Sequence, residues 1–414
     1  MRRASRFDEG VIVRARFFYD IVCPYAYLAS TQIERLIAET GAEIEWVPML
    51  LGGVFRAHRA PQVPAQHMTP AKARMNTLDL ARWAKRWEVP FQFSAHHPQR
   101  TVEAMRLLCI TPSAQRPQVS DRLFRAYWSE GARLDEALVE RVAAEFDLLE
   151  RWHSAHDEAK TQLFINTELA VSFGIFGAPS FEIDGEIFWG QDRLELVKGA
   201  LGGTPKTIMS GQAPRGTSVE IFHDFSSPFS YLGCQHAERL ITDRGAEVRW
   251  RPMLLGALFK SIGAPIVPLF EMNEAKRTYM GKDLNDWAHY WEVPFVFPMD
   301  FPLNTVTALR LAIIDPSLTP TLYRAAWGEG LNLGDREVLS QLLQSRDLDV
   351  QSLFARAQDQ TIKDTLRENT AAAEAQGAFG APSFVLHRPD KPAQLFWGQD
   401  RLELLCEAIC ASPE

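Results

Sequence analysis

Cysteine is scarce in this sequence. Cys23, Cys109, Cys234, Cys406 and Cys410 are few for 414 positions and odd in number, which excludes a secreted-type disulfide framework and fits a reducing compartment. None stands at zinc-ribbon spacing, and His153 and His156 have no second ligand pair, so no metal centre is expected. No apolar run reaches the length of a membrane-spanning helix. The opening stretch MRRASRFDEGVIVRARFFYD returns to charge before a signal-length apolar segment can form. A cytoplasmic location follows as an expectation. Positive charge is also short, with 44 Lys and Arg against 52 Asp and Glu and a net charge of −8, which offers no general attraction to nucleic acid or an anionic membrane.

What is present is a hydrophobic fraction of 46% with 23% charged residues, the balance of a globular protein, on a chain long enough for two domains. It contains an internal repeat. DIVCPYAYLASTQIERLI begins at Asp20 and DFSSPFSYLGCQHAERLI at Asp224, so Cys23 and Ser227 correspond with an offset of 227 − 23 = 204. The same offset relates Trp46 to Trp250, Pro90 to Pro294 and Arg106 to Arg310. FGAPSF at Phe176 recurs at Phe379, and FWGQDRLEL at Phe188 recurs at Phe396. The offset grows from 203 to 208 between these motifs, placing extra residues between two strands. Asp184-Gly185 signals a tight hairpin in the first copy; a longer, proline-containing loop is expected in the second. Two tandem domains are expected over 1–201 and 218–414, joined by the Gly-, Pro- and Ser-rich linker 202–217.

Each copy reads as strand, helix, strand, long helical insert, hairpin and helix, an α/β order. The first helix carries Pro24 or Pro228 in its first turn, where a missing N–H costs nothing. Cys23 or Ser227 stands just before it, facing unpaired backbone N–H groups and the positive end of the helix. A thiol there is expected to ionise easily and become nucleophilic. A serine there can donate a hydrogen bond to a thiolate carried by another molecule. The plainer alternative is that both are ordinary N-caps. Pro179 and Pro382 follow alanine in glycine-bearing loops leading into strands, the setting of a cis peptide in a tight turn.

With these motifs in place, both copies resemble the DsbA-like branch of the thioredoxin superfamily, and specifically 2-hydroxychromene-2-carboxylate isomerases and kappa-class glutathione transferases. The likeness is strongest in the second copy, where DFSSPFSYL, RPMLLGALFK, KRTYMGKDL, FPLNTVTALR, FGAPSF and FWGQDRLELL follow in order. The resemblance implies two thioredoxin-like domains, each with a large helical insertion, and reduced glutathione as cofactor. It implies that Ser227 meets the glutathione sulfur, that Ala381 beside Pro382 holds the cysteinyl backbone, and that Gln399 and Asp400 hold the γ-glutamyl end. Ala178, Pro179, Gln191 and Asp192 are the matching positions of the first copy. Lys260, Tyr279, Asn304 and Arg310 are expected to face the substrate, while Ala264 stands where the family often has Asn.

The first copy departs further, with Met75 for Tyr279, Arg100 for Asn304, and Ala26 where a disulfide oxidoreductase has its second cysteine. Three functions stay open. One is a glutathione-dependent isomerase or transferase acting on a small unsaturated electrophile at Ser227. The others are a thiol–disulfide oxidoreductase using Cys23 and a glutathione-binding module without turnover. Because the related single-domain proteins are dimeric in appearance, the tandem chain is expected to form an intramolecular pseudo-dimer, with further oligomerisation left open.

Overall fold

A computed structural model describes residues 13–205, 208–389 and 391–411. The stretch 1–12, in which no leader was read, lies outside the described residues, as do positions 206–207 of the expected linker, 390 and 412–414. Two compact units are formed. The first comprises Met1–Met68, Asn76–Lys206 and Asn273–Met280; the second comprises Thr69–Met75, Thr207–Met272 and Gly281–Glu414. The division runs through two helices, Pro70–Arg86 and Glu274–Tyr290, so each repeat contributes a short segment to the other repeat's unit. Sequence offset alone carries no sign of that exchange.

In the first unit, β1 (Arg14–Tyr19), β2 (Glu43–Pro48), β3 (Ser180–Ile183) and β4 (Glu186–Trp189) form a mixed sheet in the order β2-β1-β3-β4. The central strand β1 pairs parallel with β2 and antiparallel with β3. A central strand is covered on both faces, and Phe17, Phe18 and Tyr19 at its end are fully buried. The second unit repeats the plan with β5 (Ser218–His223), β6 (Glu247–Pro252), β7 (Ser383–Arg388) and β8 (Lys391–Trp397), ordered β6-β5-β7-β8. Phe222 of β5 packs with Met253, Leu258, Phe259, Val385 and Ala381, so the residue before Pro382 is itself part of the core. Truncating a buried aromatic such as Phe222 to alanine costs about 3–5 kcal/mol.

Two local features differ from the sequence expectation. The extra residues of the second copy lengthen β7 and β8 to six and seven residues, against four each in β3 and β4, rather than enlarging a loop. Pro392 fits because β8 is an edge strand, whose proline need not donate to a neighbour. The second difference is in the first helix, which is continuous over Pro228–Thr242 but broken into Pro24–Ser30 and Ile33–Thr40 in the first copy. At that break the hydroxyls of Ser30 and Thr31 donate to the carbonyls of Tyr27 and Leu28, and such back-bonding competes with the helical ladder.

Candidate functional site

The second unit gathers five of the expected residues around the start of the helix Pro228–Thr242. Ser227 is its N-cap in extended conformation, and its Oγ accepts the N–H of Ser230 at 3.2 Å. The same hydroxyl donates to the carbonyl of Ala381 at 3.0 Å. The Ala381–Pro382 peptide is cis, and Gly398 N–H donates to the Pro382 carbonyl at 3.0 Å. This bond brings the turn containing Gln399 and Asp400 against the proline loop. Gly233, in the serine-capped helix, shows how close they lie: a β-carbon there stands 3.1 Å from side-chain atoms of both Pro382 and Gln399. Gln399 is 1% exposed, yet its Oε1 has no hydrogen-bond partner. A buried amide oxygen left this way is costly, so the turn has capacity for a further donor. Asp400 pairs with Arg401 at 3.0 Å.

The first unit builds the same socket around a sulfur. Cys23 precedes the helix at Pro24, and its Sγ donates to the carbonyl of Ala178 at 3.1 Å, before the cis Ala178–Pro179 peptide. Gly190 N–H meets the Pro179 carbonyl at 3.0 Å, Gln191 is buried with its Nε2 unpartnered, and Asp192 pairs with Arg193 at 3.0 Å. The expected readily ionised thiol is not what this geometry gives. Cys23 is buried, and burial pushes its pKa up to about 12, although the backbone N–H groups of Ala26 and Tyr25 pull it down. Desolvation of the charged form outweighs the helix start, so Cys23 is a neutral thiol at rest.

The remaining expected residues are placed differently. Lys260 is exposed on the helix Leu255–Ser261. Asn304 Oδ1 accepts Val306 N–H at 3.4 Å at a helix start, and half-buried Arg310 has an Nε without a hydrogen-bond partner. No described hydrogen bond joins these three to Ser227. Tyr279 belongs to the first unit, where its ring packs on Phe176 and Trp189, the residues flanking the Pro179 loop. Among the described residues no cluster of three or more His, Cys, Asp or Glu side chains could hold a metal, and no helix is long and apolar enough to cross a membrane.

Sequence reasoning missed the two aspartates that fix these turns. Asp224 accepts Ser226 N–H at 2.9 Å, Leu255 N–H at 2.8 Å and the Thr305 hydroxyl at 2.6 Å. Asp20 does the same with Val22, Leu51 and Thr101 at 3.1, 2.9 and 2.7 Å. Burial raises the pKa of both carboxyls, while their donors pull it back. Each aspartate ties the serine or cysteine turn to the next helix start and to the helical insert. The available signal was an aspartate three residues before both Cys23 and Ser227.

Known proteins match one repeat at a time. A 2-hydroxychromene-2-carboxylate isomerase from Pseudomonas sp. (strain C18) is 28% identical over 211 residues, covering 48% of this chain and 95% of the relative. Glutathione S-transferase kappa 2 from Caenorhabditis elegans is 30% identical over 215 residues, covering 47% and 93%. A solved 2-hydroxychromene-2-carboxylate isomerase structure aligns with a TM-score of 0.41 at 25% identity, covering 46% of this chain and 93% of that one. The DSBA-like thioredoxin domain model matches residues 15–202 and again 218–410. Between them the two matches take in most of the sequence, and the chain belongs to the DSBA-like thioredoxin domain family.

Proposed function

We propose that the second unit is a glutathione-dependent enzyme, an isomerase or transferase acting on a small unsaturated carbonyl or aromatic electrophile. The observation that carries this reading is the convergence of Ser227, the cis Ala381–Pro382 loop and a buried Gln399 amide with an unpartnered oxygen. The names of the similar proteins, an isomerase and glutathione transferases, point the same way.

The residues fit a tripeptide thiol. When bound, glutathione supplies the sulfur nucleophile that adds to an electrophile. Ser227 turns its hydroxyl from the Ala381 carbonyl towards that sulfur, where the helix start favours negative charge. The released Ala381 carbonyl accepts an N–H from the ligand backbone. Asp400 receives the glutamyl ammonium, and Gln399 Oε1 gains the donor it lacks. Lys260, Asn304 and Arg310 remain proposed substrate contacts. The reading includes a cytoplasmic location, since none of the five cysteines is in a disulfide, and a pseudo-dimeric use of the two repeats. The dithiol alternative gains nothing from Cys109, which is buried and receives a hydrogen bond from Asn166 at 3.7 Å.

Calorimetric titration of the intact protein with reduced glutathione tests the proposal. Saturable binding that falls about tenfold or more in Ser227→Ala and Asp400→Asn but survives Cys23→Ala supports it. No binding, or binding lost only with Cys23→Ala, overturns it.

A further inference from the structure

The helix His156–Ser172 of the first unit buries one face through Ala159, Leu163, Asn166, Thr167 and Ala170. The opposite face of such a helix is ordinarily polar. Here Phe164 is 65% exposed and Ile165 beside it 50%, with half-buried Val171 two turns further along the Phe164 side. One apolar side chain on a surface needs no explanation, but a contiguous apolar stripe with a polar rim marks an interaction surface.

The second repeat shows that the fold does not require these residues. Asn166 Nδ2 donates to the Pro48 carbonyl and Thr167 Oγ1 accepts the Leu50 N–H, both at 3.0 Å. Asn369 and Thr370 make the same bonds with Pro252 and Leu254, again at 3.0 Å. The two helices therefore correspond with an offset of 369 − 166 = 203. At that offset Arg367 stands for Phe164 and Glu368 for Ile165, and Arg367 pairs with Asp364 at 2.6 Å. The same helix, anchored in the same way, carries an ordinary charged outer face in the second unit.

The charges beside the stripe identify what covers it. Lys160 stands four residues before Phe164 and Glu168 four after, on the same side of the helix. Both are exposed, and neither side chain has an ion pair or hydrogen bond among the described residues. Reversing the helix about Phe164 exchanges their places, so the face is complementary to itself. Asp157, Glu158 and Glu168 outnumber Lys160 on this surface, which disfavours an anionic membrane. A parallel pair would set Lys160 against Lys160 and Glu168 against Glu168. We propose that two copies of the chain associate through antiparallel His156–Ser172 helices. Phe164 and Ile165 of both copies form the centre, and by two-fold symmetry the Lys160–Glu168 pair forms twice across it.

Sedimentation equilibrium of the intact chain over a concentration series tests this. A monomer–dimer equilibrium is expected. Phe164→Arg with Ile165→Glu, which installs the residues of the second repeat, should weaken it by roughly a hundredfold or more. Thermal unfolding followed in dilute, monomeric samples should be unchanged, because both side chains are exposed. Lys160→Glu should weaken the dimer about tenfold, and adding Glu168→Lys should restore it to within about threefold by re-forming both pairs in reverse. A chain that stays monomeric at every concentration overturns the proposal. So does a dimer indifferent to the Phe164 and Ile165 replacements, which would place the association elsewhere. A Lys160→Glu variant that dimerises normally, or that Glu168→Lys does not rescue, overturns the antiparallel pairing.

Discussion

The hydroxyl oxygen of Tyr279 accepts the backbone N–H of Trp189 at 3.0 Å. Trp189 pairs with Ser180 across β3 and β4, next to Pro179, so a side chain of the second repeat supports the proline loop of the first unit. Tyr279→Phe leaves that N–H without its acceptor and is expected to cost about 1–3 kcal/mol. Tyr279→Ala also opens a cavity, and a loss of about 3–5 kcal/mol is expected. The urea midpoint of the transition reporting on the first unit measures both.

Alkylation of Cys23 by iodoacetamide is expected to be slow at pH 7 and to keep rising through pH 10 without a plateau. Burial pushes this pKa from 9.0 to about 12, so the thiolate is a small fraction that grows about tenfold per pH unit. Stability carries the same sign: the unfolded thiol ionises from its ordinary 9.0 while the folded one resists until about 12. The protein therefore loses stability across that window as pH rises. A rate plateau near pH 7, read by mass spectrometry of the Cys23 peptide, would show an activated thiolate instead.

Asp224→Asn keeps the size of the side chain but replaces one acceptor oxygen by an NH₂ group facing a donor. A loss of about 1–3 kcal/mol is expected. Thr305→Val removes only one of the three donors and is expected to cost about 1 kcal/mol. Thermal unfolding ranks the two, and the reverse order would mean that the carboxylate does not organise the turn.

Gly380→Ala is expected to destabilise the second unit, because a β-carbon there lies 2.5 Å from Trp397 Nε1. Overpacking of this kind costs about 1–3 kcal/mol. Glutathione affinity should fall with it, since Gly380 precedes the Ala381–Pro382 peptide. Trp397→Phe removes the clashing nitrogen, so the double variant should be more stable than the two single losses predict. A double-mutant cycle measures that coupling.

Much of the fold was legible because the chain states it twice. Duplicate proline helices, the two FGAPSF loops and the FWGQDRLEL turns gave the strand and helix order of both units, while the grouping of Ser227 with Ala381 and Gln399 came only as an implication of the family resemblance. The protonation of Cys23 was not legible, because helix position is a sequence property whereas desolvation depends on what covers the sulfur. Asp20 and Asp224 were visible as letters, but their partners Leu51, Thr101, Leu255 and Thr305 are distant in sequence. The assignment of Tyr279 to the first unit had no sequence signal, since residue offsets report likeness between repeats and not which unit a segment joins.

Cys23 and Ser227 occupy matching sockets, each aimed at the carbonyl before a cis proline, at 3.1 and 3.0 Å. In genetic terms the two sockets are neighbours, because cysteine and serine codons can differ by a single base. A duplicated gene can therefore exchange a resident sulfur for a hydroxyl in one mutational step, with the surrounding loop, turn and anchoring aspartate already in place.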